Sequence, residues 1–314
     1  MPPHSGHKYL VDFARNYVGD LKVMVCSLKT EEISGKLRYQ WMQESFPDVD
    51  VFHLDKKMPQ EPKDHPKFWK IWKENIKRLV PEKIDYLFAS EDYGWELAKV
   101  LGAQYIPVNH ARDIVPIGGG SICNNPMKYW DYVLPAARKY FLKRVCVFGP
   151  ESTGKSTLAK KLAKHFKTVA ANEYARDLLN FYNGACDYEH IDLIAKGHYA
   201  SEEALAKQAN KVLFSDTDSV TTVIWSNVLF KKCPEWIKKM SYKRKYDLYL
   251  LLDIDTPWIK DVQRYFPEEA QRKDFLNLCK KELEKRGCKY VLINGSWAER
   301  FKKAVKEVEK VLGN

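Results

Sequence analysis

The sequence predicts an α/β protein built from two successive parallel-sheet domains. Short β-rich runs alternate with stretches of helical period in two separate parts of the chain. Its 314 residues are about two domains' worth at roughly 150 residues each. A helix-patterned join, Pro126–Leu142, separates the two alternations and puts the boundary near residue 140, giving domains 1–140 and 141–314. Strands that alternate with helices need crossover connections, so their sheets are parallel and covered on both faces.

The first alternation opens on residues 2–7, Pro-Pro-His-Ser-Gly-His, which enter a helix carrying Tyr9, Leu10, Phe13 and Ala14. His4 and His7, three apart around Gly6, can donate to a phosphate at that helix N-terminus. A chance pair in a loose terminus fits these residues equally well. Strands follow at Leu21–Ser27, Val49–Leu54, Ile84–Ser90 and Gln104–Val108. Between the second and third, Lys67–Leu79 puts Phe68, Ile71, Trp72, Asn75, Ile76 and Leu79 on one helical stripe.

The second alternation begins at Arg144–Phe148, an apolar strand running straight into a glycine-rich turn. Strands are expected at Lys167–Ala171, Lys211–Asp216, Leu248–Asp253 and Lys289–Ile293, with a last helix at Trp297–Leu312. No repeat or low-complexity segment interrupts either half.

Composition narrows the class. With 45% hydrophobic and 30% charged residues, the chain is neither disordered, collagenous nor multi-span. No run approaches the roughly 20 apolar residues that cross a bilayer, and no secretory signal pattern opens the chain. Seven cysteines without a CxxC pair read as reduced thiols of a cytoplasmic protein. The net charge of +11 comes from scattered lysines and suits polyphosphate ligands. With no aromatic-basic ribbon and no helix-turn-helix segment before residue 2, nucleic acid is not the expected partner. The sequence leaves a homo-oligomer open.

Residues 149–156, Gly-Pro-Glu-Ser-Thr-Gly-Lys-Ser, fit G-x-x-x-x-G-K-[ST] at every fixed position, and the helix Thr157–Phe166 follows. Gly149 and Gly154 let the backbone curl so that the amides of Ser152, Thr153 and their neighbours face a phosphate. Lys155 would bridge the β- and γ-phosphates, and the Ser156 hydroxyl would ligate Mg²⁺, with Thr157 adjoining the site. This half is expected to bind a nucleoside triphosphate. Asp216, closing an apolar strand, would also hold Mg²⁺, and Asp218 would face the substrate; a turn-capping role is the alternative for either. Glu173, after the second strand of this half, falls in the crevice where open α/β sheets bind ligands. It would accept a hydroxyl proton or bind a ribose diol, unless it pairs with a nearby arginine. Arg264 and Arg272 lie in a polar, helix-like stretch and would close over the γ-phosphate as a lid. Trp258, beside a proline turn, would stack a cation-bearing ring or pack in the core.

Taken together, these residues resemble the NadR-type bifunctional family of pyridine nucleotide metabolism, over essentially the whole chain. In the first half the likeness rests on His4-x-Gly6-His7, Ile33-Ser34-Gly35 with Arg38-Tyr39-Gln40-Trp41, Phe46-Pro47, Phe68-Trp69 with Trp72, Ser90-Glu91-Asp92-Tyr93-Gly94 and Asn125-Pro126. In the second it rests on residues 149–156, Glu173-Tyr174-Ala175-Arg176, Ser215-Asp216-Thr217-Asp218 and Asp255 with Pro257-Trp258. The resemblance implies an N-terminal Rossmann-like nicotinamide mononucleotide adenylyltransferase, with ATP held at His4, Gly6 and His7. It implies a C-terminal P-loop ribosylnicotinamide kinase that uses ATP and Mg²⁺. Ligands would be nicotinamide riboside, nicotinamide mononucleotide, ATP and NAD, with Glu173, Arg176, Asp218 and Trp258 on the riboside.

Two departures predict a weakened adenylyltransferase. The central Gly-x-Phe strand that precedes HxGH in the family has no counterpart before Pro2, so either the start lies further upstream or the domain lacks that strand. The family's I-S-x-T-x-I-R signature reads Ile117-Gly118-Gly119-Gly120-Ser121-Ile122-Cys123 here, losing both hydroxyls and the arginine. Each lost charge-assisted phosphate contact costs roughly 1.5–3 kcal/mol. Amides of the glycines could form a substitute anion nest, with Arg112 nearby. A P-loop kinase of another nucleoside or metabolite, and a nucleotide-sensing regulator, are the alternative readings.

Overall fold

The structure, a computed structural model, describes residues 1–28 and 30–313. The chain forms two compact units, Met1–Tyr140 and Phe141–Asn314. Among the described residues, no helix is long and apolar enough to cross a membrane.

The first unit runs α1 (Ser5–Tyr17), β1 (Lys22–Cys26), α2 (Gly35–Ser45), β2 (Asp50–Leu54), α3 (Phe68–Leu79), β3 (Tyr86–Ala89), α4 (Tyr93–Leu101), β4 (Gln104–Pro107), α5 (Gly119–Asn124) and α6 (Pro135–Phe141). Strands β1 and β2 pair in parallel, as do β3 and β4, and the two pairs are separate two-stranded sheets. Side chains bridge the division: Met24 of β1 and Leu87 of β3 pack against the same cluster of Ile76, Leu97 and Leu101. Phe13 of α1 lies edge-on to Phe88, with ring centroids 6.3 Å apart.

The second unit runs β5 (Lys143–Phe148), α7 (Lys155–His165), β6 (Ala170–Ala171), α8 (Tyr174–Phe181), α9 (Tyr188–Leu205), β7 (Val212–Asp216), α10 (Ser219–Phe230), α11 (Glu235–Lys243), β8 (Leu248–Leu252), α12 (Glu269–Lys285), β9 (Tyr290–Ile293) and α13 (Trp297–Leu312). Its five strands form one sheet in the order β6-β7-β5-β8-β9, parallel throughout. Strands β7 and β8 are buried along their whole length, which explains their unbroken apolar runs. Phe148, Val220, Ile224, Tyr249 and Phe275 form the core on one face. The strand expected over Lys167–Ala171 shortens to two residues because it is the sheet edge and Lys167 turns with φ of 51°.

Candidate active sites

In the second unit, β5 ends in the phosphate loop and α7 starts from it. Gly149 (φ 131°) lies so close to β8 that a Cβ would stand 2.9 Å from the Leu252 carbonyl oxygen. Gly154 (φ 86°) caps α7 against the Trp297 ring, which a Cβ would meet at 2.4 Å. Both glycines are therefore required by close approach as well as by torsion. The Thr153 hydroxyl donates to the Pro150 carbonyl at 2.8 Å, and Lys155 Nζ donates to the same oxygen at 2.8 Å.

The loop is held from behind by Arg300 of α13, a fully buried residue that sequence reasoning missed. Its guanidinium donates to the carbonyls of Thr153 (2.9 Å), Asp253 (3.0 Å) and Gly295 (3.0 Å), and pairs with Asp255. The only signal for it in the sequence is an arginine on the stripe of an amphipathic helix, where solvated arginines are common.

Asp216 closes β7 beside Val147 of β5, and the nearby Ser156 hydroxyl favours its ionised form. Its Oδ1 is buried without a hydrogen-bond partner. Glu173 stands at the N-terminus of α8, directly after the short edge strand β6. Burial raises the pKa of both carboxyls; for both, the charge of Lys155 is the strongest opposing influence. Lys155, Ser156, Glu173 and Asp216 thus gather at the carboxyl ends of β5, β6 and β7.

Five further expected residues are placed as follows. Asp218 faces α10 rather than the crevice: it accepts from the amides of Val220 (3.0 Å) and Thr221 (3.1 Å) and from the Tyr249 hydroxyl (2.8 Å). Thr217, at φ of 70°, turns the chain between the two aspartates, and Asp218 caps α10. Arg176 pairs with Asp261 at 3.0 Å. Arg264 lies in an irregular segment rather than a helix and donates to Ser152 Oγ at 3.3 Å and to the Ile259 carbonyl. Arg272 sits in the first turns of α12, buried, with Nε and Nη1 unpartnered. Trp258 is half-buried at the loop, its indole N–H 3.4 Å from Glu151 Oε1, so core packing does not describe it.

Behind β7 lies a buried polar group that the sequence did not announce. Glu202 of α9 accepts from the hydroxyls of Ser215 and Tyr246, the latter at 2.6 Å, and pairs with Arg244 at 2.7 Å. These contacts fix the strand end that carries Asp216.

In the first unit, His4 caps α1. Its Nδ1 accepts the Gly6 amide at 3.1 Å, and its own amide donates to His7 Nδ1 at 3.2 Å. Both neutral rings therefore carry their proton on Nε2, leaving that N–H free to donate. Burial lowers their pKa values, His4 to about 4 and His7 to about 3, helped by the N-terminal ammonium and by Arg112 or Arg38. A Cβ on Gly6 would stand 2.9 Å from the His4 ring, so the spacing glycine is a packing requirement. Gly119 and Gly120 start the short helix α5, and neither they nor Gly118 adopt positive φ. An alternating left- and right-handed nest is therefore not formed there. Arg112 pairs with Glu91 at 2.6 Å. A small open pocket lies at the ends of β1 and β2, lined by Cys26, Ser27, Glu31, Lys56 and Trp72 among others.

Comparison with known proteins places this geometry. Residues 144–300, half of the chain, match the AAA domain family. The trifunctional NAD biosynthesis/regulator protein NadR of Escherichia coli (strain K12) is 29% identical over 333 residues, spanning 99% of this chain and 81% of that protein. Its Salmonella typhimurium counterpart is 28% identical over the same spans. A crystal structure of NadR protein in complex with NR superposes with a TM-score of 0.81 at 22% identity, covering 100% of this chain and 94% of that one. A second, in complex with NAD and AMP-PNP, gives 0.79 at 21% identity, covering 99% and 93%. The chain is a NadR-type protein, and its C-terminal unit belongs to the AAA domain family.

Proposed function

We propose that the second unit transfers the γ-phosphoryl group of ATP to the 5′-hydroxyl of nicotinamide riboside. The observation that carries this reading is the meeting of Lys155, Ser156, Glu173 and Asp216 at the carboxyl ends of three adjoining strands. Lys155 leaves the Pro150 carbonyl to bind the β- and γ-phosphates. Glu173, its carboxyl disposed by burial to take a proton, accepts the one released as the riboside oxygen attacks phosphorus; the bond to the β–γ bridging oxygen breaks and ADP departs. The Ser156 hydroxyl and the orphaned Asp216 oxygen suit an Mg²⁺ ion, which when bound neutralises phosphate charge. Trp258 stands at the edge of the crevice, where a cationic nicotinamide ring can stack.

The first unit, by the same reading, joins nicotinamide mononucleotide to the AMP part of ATP, giving NAD and pyrophosphate. The mononucleotide's phosphate is the nucleophile, so the protein supplies positioning and the Nε2–H donors of His4 and His7. With glycine at 118 and 120 and cysteine at 123 in place of the signature's two hydroxyls and arginine, its grip on triphosphate is weakened.

Coupled ADP release with nicotinamide riboside tests the kinase. Lys155→Ala should lower turnover at least about 100-fold in protein that circular dichroism shows to be folded. Absence of turnover in protein that still binds ATP would overturn the reading. Competition with other nucleosides identifies a different acceptor, and robust NAD synthesis from the mononucleotide and ATP would overturn the weakened first site.

A further inference from the structure

Glu151 occupies one of the unspecified positions of the phosphate loop, where a carboxylate is out of place because incoming phosphates are anionic. It is 8% exposed, and its oxygens are turned to the segment 257–267, which contains neither helix nor strand. Oε2 accepts the Tyr265 amide at 3.0 Å and Oε1 the Phe266 amide at 2.6 Å. Ser152, the next loop residue, accepts the Ile259 amide at 2.9 Å and Arg264 Nη1 at 3.3 Å. Its carbonyl also takes the Thr256 hydroxyl at 3.2 Å. On its other flank the segment is tied to α8, by Arg176 to Asp261 at 3.0 Å and by Gln263 to Asn180 at 2.6 Å.

We propose that Glu151 is a latch that holds segment 257–267 on the phosphate loop and thereby positions Arg264 for the transferred phosphoryl group. A charged acceptor binding two successive amides fixes the end of the segment that follows Arg264, while Ser152 fixes the guanidinium itself. Loop and segment then move as one body, and the setting of the loop is transmitted to Arg264 without a contact to substrate. The positioning role rests on the kinase reading; the latch itself does not.

The latch is tested in full-length protein by trypsin, which cuts after Lys260 and Arg264 only when the segment lifts. Without nucleotide, Glu151→Ala should speed those cuts about tenfold, since proteolysis tracks the open population, and Glu151→Gln, keeping one acceptor, should fall between. With nicotinamide riboside and ATP, and with Glu151→Gln intermediate, Glu151→Ala should lower kcat about tenfold to a hundredfold, the scale of a misplaced contact. In an Arg264→Ala background the same substitution should cost little more, because its effect runs through that arginine. Unchanged cleavage rates overturn the latch, and losses that multiply in the double variant overturn the positioning role. Should Glu151→Ala fail to fold, Glu151→Gln carries both measurements. If no riboside is turned over, the cleavage rates still decide the latch.

Discussion

Glu173 faces opposing influences: burial raises its pKa, and the charge of Lys155 lowers it, with burial the stronger. A proton acceptor must be ionised, so kinase turnover should rise with pH through a midpoint above the ordinary glutamate value of 4.5. Glu173→Gln should remove that limb and about 10²–10⁴ of the rate, a loss read from kcat–pH profiles. The linkage has a definite sign. A raised folded pKa means that the folded chain binds the proton more tightly than the unfolded one, so this group stabilises at low pH and loses that effect as pH rises past 4.5. Ligand-free Glu173→Gln should therefore melt above the parent at pH 7, and the gap should close on acidification. Residue types announced this chemistry, but orientation did not follow from them. Asp216 and Asp218 are alike in sequence, and only the left-handed Thr217 between them turns one toward Ser156 and the other onto α10. Glu151 and Arg300 were illegible for a related reason: each acts through main-chain groups brought near by folding, and no spacing rule encodes that.

At the scale of elements, α8 and α9 set the position of Glu173. They meet where Gly197 lets the Tyr174 ring lie flat on α9; a Cβ there would stand 2.1 Å from that ring. Gly197→Ala should force the helices apart, costing about 1–3 kcal/mol in urea unfolding, and should lower kcat by moving the residue that precedes Tyr174. Pairing it with Tyr174→Leu should restore much of both, whereas a cost arising only from glycine's flexibility would respond to neither change. The run of strands was readable because buried parallel strands are continuous apolar stretches, as in β7 and β8. The segment after Asp255 was less so. Its polar residues suggested a helix, but 257–267 is irregular, tied down by side chains of the phosphate loop and α8 rather than by its own ladder.

Across the whole molecule, two units with separate sheets respond to acid in opposite senses at their sites. In the first unit the unfolded histidines take up protons near 6.5, whereas folded His4 and His7 do so only near 4 and 3. The stability they contribute is present above 6.5 and drains away as pH falls toward 4. Glu173 and Asp216, with raised pKa values, act in the contrary direction in the second unit. The sheets differ too. Strands β1 to β4 pair on one edge each, while β7, β5 and β8 are paired on both. That side chains would gather both half-sheets around Ile76 and Leu97 was not legible in the sequence, because it depends on packing across the division. Amide hydrogen exchange resolved by peptide can read the two units together. Exchange in β1–β4 should be faster than in β5, β7 and β8 at neutral pH, and lowering the pH from 6.5 to 4 should reduce protection in the first unit, after correction for intrinsic rates. ATP at about 100 times its Kd for the phosphate loop should add up to about 2.7 kcal/mol of protection to globally opening amides of the second unit. Acid loss confined to the second unit, or equal protection in the two sets of strands, would show that neither the histidine pair nor the divided sheet sets the stability of the first.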